Sequence, residues 1–448
     1  MTRSRSSHLA SVLLISLLAA SCADERVAPI EPPVEEEAPR EPVAVLPAGV
    51  YHVNTLDETA PTGDLNVLRG ILGDAQFVAL GETVHTSGGY YQAKFRVFTF
   101  LVEQMGFRAF AFETPWAVAM PAHDYVATCD GTPEAAIQSI FTVWQDLSVV
   151  ELLRWMCRYN QAHPADPVHF YGFDIQQSWA DADLLEAFLK RAAPLDAAAL
   201  VTPILSCLGA SSLNGDAFYT SADWRAVEAG QVDEAQHQRC LVGLADLQTY
   251  LSRNEPALVV ATSADELEWA RISLLSLRAF EWQLYHQSKG NWADSGDARD
   301  GAMAEAMVRI HALLSPGART ALWAHNTHIS TGFTTTTTGR SMGAFLREAL
   351  GDDYFPLGLT GYRVEINWNH PRVGPPPIPT SRDSVDVLHE LGHDYLLVDL
   401  TPGAADEFLE PGRTYLMNSS DNPTWVVPRD HYRALLFLDH SWPMTYVR

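Results

Sequence analysis

The chain has 448 residues, with 30 Lys and Arg against 55 Asp and Glu, for a formal charge of −25. A surface this acidic is unsuited to nucleic acid or to anionic lipid headgroups, so neither is expected as a partner. With 47% hydrophobic residues and 12 Trp, the sequence carries ample material for a substantial core.

Arg3 and Arg5 open the chain, an apolar run follows from Leu9 to Ala20, and Ala19-Ala20-Ser21-Cys22 closes it. A basic start, a short apolar stretch and small residues at a cleavage point read as a secretory signal over 1–22. The run is too short to stay in a bilayer as a spanning helix. Small residues directly before Cys22 resemble a lipobox. They predict an acylated Cys22 and an exported lipoprotein of the bacterial envelope, periplasmic or at the cell surface, that meets the membrane only through this anchor. Residues 23–47 are rich in Pro, Glu, Ala and Val and contain no aromatic residue, which is the composition of a tether. Residues 48–448 are expected to form one large domain. An exported chain makes Cys129, Cys157, Cys207 and Cys240 disulfide candidates, and sequence order favours Cys129 with Cys157 and Cys207 with Cys240.

Within the domain, Gln76–Leu80 is a short apolar strand that ends at Gly81. Apolar residues at helical spacing mark a helix from Tyr91 to Met105, stopped by Gly106. Arg108–Phe112 is a second strand, ending at Glu113. Val149, Leu152, Leu153 and Met156 mark another amphipathic helix, and Val168–Phe173 is a third strand, ending at Asp174. Alternation of this kind predicts an α/β fold with a mainly parallel central sheet flanked by helices. From about 180 to 315 the chain is rich in Ala, Leu, Glu and Gln and reads as a helical insertion or cap. Thr320–Ala324 returns to strand, ending at His325. Thr334–Thr338 reads as a mobile loop tip, Met342–Leu350 as a helix, and Tyr354–Thr360, Tyr395–Leu400 and Leu435–Asp439 as further strands.

Four strands therefore end in chemically competent residues: Glu82 and His85, then Glu113, then Asp174, then His325 and His328. In open α/β sheets, ligands bind beyond the carboxyl ends of the strands. If the strands are parallel, these residues share one rim. Imidazole takes a proton near neutral pH, and a buried carboxylate beside it fixes its tautomer. The set thus suits activation of water, with His85 as base, Glu113 or also Glu82 holding it, and His325 or His328 serving the oxyanion or the leaving group. No Gly-x-Ser-x-Gly elbow follows a strand, which disfavours a serine nucleophile.

The stretch Gly81–Glu113, GETVHTSGGYYQAKFRVFTFLVEQMGFRAFAFE, closely resembles the opening motif of the erythromycin esterase family: Gly-Glu-x-x-His, a Lys/Arg-bearing helix, Gly-Phe, and a strand ending in Glu. Further matches follow in order. They are Val143-Trp144-Gln145 with Glu151–Met156, Tyr171–Gln176, Arg299–Ala304, Trp323–His328, and Met342–Gly351. The resemblance spans most of 76–362. It implies an α/β hydrolase with a helical subdomain and a deep cleft. It also implies ester hydrolysis, a macrolide lactone included, by general-base activation of water without a covalent intermediate. Glu82, His85, Glu113, His325 and His328 match the family's positions. One departure stands out. Where the family continues His-Gly-x-x-Glu, often with Arg before the Glu, this chain has Thr86-Ser87-Gly88-Gly89. A Gly-Gly turn offers backbone N–H donors in place of the two charges.

Other readings remain open. The set Glu82, His85, Glu113, His325 and His328 also offers N and O donors for a divalent metal, although the resemblance calls for no cofactor. A ligand-holding lipoprotein without turnover is a third reading. Trp116, Trp144 and Trp179 are candidates to line a cleft, although aromatic residues are more often core. Arg299-Asp300 reads either as an ion pair at a helix start or as a substrate contact. Asp174 either orients a histidine or caps the next helix.

Overall fold

The structure is a computed structural model that describes residues 42–208, 210, 221–332, 334–335, 339–367, 378–379, 386–416 and 425–447. Cys22 and most of the expected tether lie outside the described residues. The tether's last residues are already docked: the Val43 N–H donates to the Leu391 carbonyl at 3.0 Å.

One mixed sheet organises the domain. Its strands are β1 (Val50–His52), β2 (Phe77–Leu80), β3 (Phe107–Pro115), β4 (His169–Asp174), β5 (Arg319–Trp323), β6 (Tyr354–Ile366), β7 (Tyr395–Asp399) and β8 (Ala434–Ser441). They lie in the order β1-β7-β8-β6-β2-β5-β3-β4, with short strand Ile378–Pro379 added along β6. The six strands from β8 to β4 are mutually parallel, and β7 runs antiparallel to β8 and to β1.

Parallel strands are covered on both faces, so they read as unbroken apolar runs. In β2, Val78 and Leu80 enter one core layer while Phe77 and Ala79 enter the other. The first layer is roofed by α1 (Gly88–Met105) and α3 (Leu147–Ala162). Small residues Ala79, Ala109 and Ala111 face the second layer, and helices of the Ala- and Leu-rich segment pack there. Among the described residues that segment runs through α4 (Ser178–Ala192), α5 (Glu234–Arg253), α6 (Ala264–Ser288) and α7 (Trp292–Ala312), and it owns a third apolar cluster. No described helix is long and apolar enough to cross a membrane. Disulfides Cys129–Cys157 and Cys207–Cys240 tie α2 (Trp116–Thr128) to α3, and the Cys207 turn to α5.

Two details differ from the sequence reading. Thr334–Thr335 pairs with Gly339–Arg340 in a small antiparallel ribbon, and Thr336–Thr338 lie outside the described residues. Strand β6 continues to Ile366, well past Thr360, because its partner β8 extends in register to Ser441.

Candidate active site

Strands β2, β5, β3 and β4 are neighbours, and their carboxyl ends bring the predicted residues to one rim. After β2 the chain crosses to β3 and β4, then returns through the helical segment to place β5 between β2 and β3. The crevice at such a reversal is where α/β sheets collect ligands.

The Gly-Glu-x-x-His turn is shaped by a close approach. A Cβ on Gly81 would lie 1.9 Å from Asn326 Oδ1, so only glycine fits there. Asn326 is fully buried, and its N–H donates to the Glu82 carbonyl at 2.7 Å. Its amide bridges to Leu359 of β6. The turn after β2 and the turn after β5 are thereby locked together.

Glu82 is fully buried, and one of its oxygens holds His85 Nδ1 at 2.6 Å. The other accepts from Lys94 Nζ at 2.7 Å and from Trp323 Nε1 at 3.0 Å. Burial alone would raise the Glu82 carboxyl, but Lys94 and His85 outweigh it and hold the pKa below its ordinary value. With Nδ1 donating to Glu82, His85 Nε2 is left as an acceptor, and among the described residues it has no protein partner. Trp144 packs edge-on against the His85 ring at 4.9 Å, and its indole N–H donates to the Glu113 carbonyl at 2.8 Å.

The expected partnership of Glu113 with His85 is replaced by another. Glu113 Oε1 accepts from Arg299 at 2.9 Å and lies 3.3 Å from His328 Nε2. Its Oε2 accepts the His325 backbone N–H at 2.8 Å. Burial pushes this carboxyl up, but His328, His85 and Arg299 together bring it down to about 2. Glu82 reaches His85 because it stands three residues away in the same turn.

Arg299 and Asp300 lie in the middle of α7, which removes the reading of a pair at a helix start. Arg299 grips Asp174 with two bonds, at 3.0 and 2.9 Å, while Asp300 accepts from His328 Nδ1 at 2.7 Å and from the Met342 N–H at 2.7 Å. Asp174 therefore neither orients a histidine nor caps a helix; it anchors the guanidinium. Burial opposes charge on His328, but Asp300 and Glu113 prevail and raise its pKa above the ordinary value. Burial likewise works against the Arg299 charge, and Asp174 and Glu113 more than compensate.

His325 is of a different kind. Its Nδ1 accepts the Thr327 N–H at 3.2 Å, so its Nε2–H donates to the Thr83 carbonyl at 2.8 Å. Burial, reinforced by the neighbouring His85, takes its pKa down to about 4. It is a neutral ring with both nitrogens engaged. Both His328 nitrogens also have protein partners, so His85 Nε2 is the open imidazole nitrogen in this arrangement. That does not offer a metal a set of converging donors. Among the described residues, the close triad of possible ligands is Cys207, Cys240 and Glu281, whose two sulfurs form a disulfide.

Trp116 sits apart, buried and stacked on Trp269 at 3.7 Å. The Gly88 and Gly89 N–H groups do not face a ligand; both donate to the Trp442 carbonyl, at 2.7 and 3.4 Å. A strap of residues 442–447 crosses there, bonding Thr86 on one side and Gln145–Leu147 on the other. Thr86 takes the place of the family's glycine with φ of 67°, a left-handed conformation that costs a β-branched residue energy. Its N–H donates to the Tyr91 hydroxyl at 2.8 Å, and its carbonyl accepts from Met444 at 2.9 Å.

Lys94, Trp323 and Asp300 join the site although the sequence motifs carry them without marking them as candidates. The signal for Lys94 is a cation among Tyr90, Tyr91, Ala93 and Phe95 in a helix buried on nearly every side.

A helical segment over a mainly parallel sheet, with a buried histidine–carboxylate pair where the strands end, is the architecture of an α/β protein with its site on the strand ends. The sequence profile of the erythromycin esterase family matches residues 102–441, and the chain belongs to that family. YbfO of Bacillus subtilis (strain 168), named as a hydrolase, is 24% identical over 420 residues, covering 89% of this chain and 91% of its own. Erythromycin esterase type II of Escherichia coli is 24% identical over 325 residues, 69% of this chain and 74% of its own. A crystal structure of a Bacillus cereus protein superposes with a TM-score of 0.74 at 20% identity, covering 89% of this chain and 96% of that one. A mutant of the erythromycin esterase EreC, in its open conformation, gives 0.70 at 19% identity, covering 89% and 99%. At these identities the solved structures establish the shared fold.

Proposed function

We propose that the chain hydrolyses a carboxylic ester of a small molecule, with His85 as the base that activates water. The observation that carries this reading is the Glu82–His85 pair, with Nδ1 held and Nε2 open. A water bonded to Nε2 gives up its proton as its oxygen adds to the ester carbonyl carbon. Glu82 stabilises the imidazolium that forms. The carbonyl electrons move onto oxygen, and Arg299 with protonated His328 supplies positive charge for that oxyanion. Collapse breaks the C–O bond to the alcohol, which receives a proton from His85 or His328. Water is the attacking group, so no acyl-enzyme forms. In support, among the described residues no Ser hydroxyl or Cys thiol is bonded to His85. No cofactor takes part. A macrolide lactone is the substrate suggested by the family and by the Escherichia coli relative. Export and anchoring through Cys22 complete the reading.

The test is a panel of simple esters and macrolides, assayed with and without chelator and in the pre-steady state. Turnover that persists in chelator and shows no burst supports the proposal. Turnover lost to chelator, a stoichiometric burst, or no turnover on any ester contradicts it.

A further inference from the structure

The buried cation beside the site has no role in the steps above. Lys94 lies on α1, is fully buried, and sits 4.2 Å above the Trp323 ring. Burial of this kind disfavours an ammonium group, and it brings the Lys94 pKa down to about 8 against the pull of Glu82. A fold spends that cost only where the charge has a fixed partner, and here the partner is one oxygen of one carboxylate, 2.7 Å away.

We infer that Lys94 is a positioning residue for the hydrolysis, holding the distal oxygen of Glu82 so that the proximal oxygen keeps His85 in its Nδ1–H tautomer. The inference rests on the proposed role of His85. The geometry is specific. A carboxylate with one free oxygen can rotate and present either lone pair to His85. With Lys94 and Trp323 both donating to Oε2, only Oε1 remains for Nδ1. Lys94 also balances the Glu82 charge. The charged and titratable groups around this chain of contacts are Glu82 from the β2 turn, Tyr91 from α1, Glu113 from β3, and His85 and His325 at the strand ends. Without the ammonium, Glu82 is the nearest unbalanced charge to His85 and favours its imidazolium.

The test uses Lys94→Met and Lys94→Gln in the full chain, beside His85→Ala. The first readout needs no substrate: ¹⁵N NMR of the His85 ring, assigned by its loss in His85→Ala, reports the tautomer. The wild type should show Nδ1–H, and Lys94→Met, which takes the donor from the distal oxygen, should show a mixture. The second readout is the pH dependence of kcat/KM, whose acid limb should move to higher pH in Lys94→Met. At neutral pH kcat should fall roughly 10- to 100-fold with KM little changed, as expected for loss of orientation. Lys94→Gln keeps a donor without the charge, so if Lys94→Met fails to fold it tests the shift of the acid limb, which should again move to higher pH. A wild-type tautomer and an unshifted acid limb in a folded Lys94 variant would overturn the inference. A His85→Ala variant with undiminished kcat would instead overturn the reading of His85, and the tautomer result would still stand by itself.

Discussion

Glu82 Oε1 and His85 Nδ1 are 2.6 Å apart across three residues of one turn, with Glu82 fully buried. The pair makes His85 a base with a fixed tautomer, and it separates the roles of the two glutamates. Glu82→Gln should lower kcat steeply, because an amide neither fixes the tautomer nor stabilises an imidazolium. Glu113→Gln should act through Arg299 and His328, and so change the stability of the fold as well as the rate. Steady-state kinetics with thermal unfolding of both variants check this. Equal kinetic losses with unchanged stability in both would argue against the division.

Arg299 makes two bonds to Asp174 and one to Glu113 inside a buried site. Lysine cannot reproduce that fork. Arg299→Met strands two buried carboxylates and should cost about 3–5 kcal/mol. Arg299→Lys should fall between that variant and the wild type. Chemical denaturation gives the order directly, and an Arg299→Lys variant as stable as the wild type would mean that the bidentate geometry is not what matters.

Thr86 holds a left-handed backbone that glycine adopts freely. Thr86→Gly relieves strain of roughly 1–2 kcal/mol and loses a bond between Thr86 Oγ1 and the Asn367 N–H. The melting temperature should hold or rise. A fall of many degrees would show that the contacts of Thr86 with the strap, and not its backbone, dominate.

Asp181 of α4 is fully buried against Ser276 of α6, at 2.7 Å. Burial raises its carboxyl to about 7, with Ser276 and Ser273 only partly opposing. A carboxyl whose folded pKa lies above its unfolded value binds more protons in the folded state. Its contribution to stability is complete below the unfolded value and is lost as pH rises through about 7. Asp181→Asn should therefore flatten the fall in stability between the ordinary carboxyl range and about pH 7. Melting curves across that range check it, and identical pH dependence in both proteins would contradict it.

Much of this is legible in the amino-acid sequence itself. The run QFVAL before Gly81 and the run RAFAF before Glu113 announced buried parallel strands, because both faces of such strands are apolar. Glu82, His85, Glu113, Asp174, His325 and His328 announced one rim, because parallel strands share their ends. Sequence spacing could not say which carboxylate would meet which ring. Glu113 and His85 are distant in the chain and near each other at the rim, and the choice fell to Arg299, carried in from α7. The strap at 442–447 was equally hidden: it reaches Thr86 through backbone bonds, which leave no mark on residue type.

The central claim is that His85 takes the proton from water. General-base assistance is worth roughly 10²–10⁴-fold. For any ester the protein cleaves, kcat of His85→Ala should drop by that factor while KM and the melting temperature stay close to wild type. A folded His85→Ala protein that retains wild-type kcat would contradict the account.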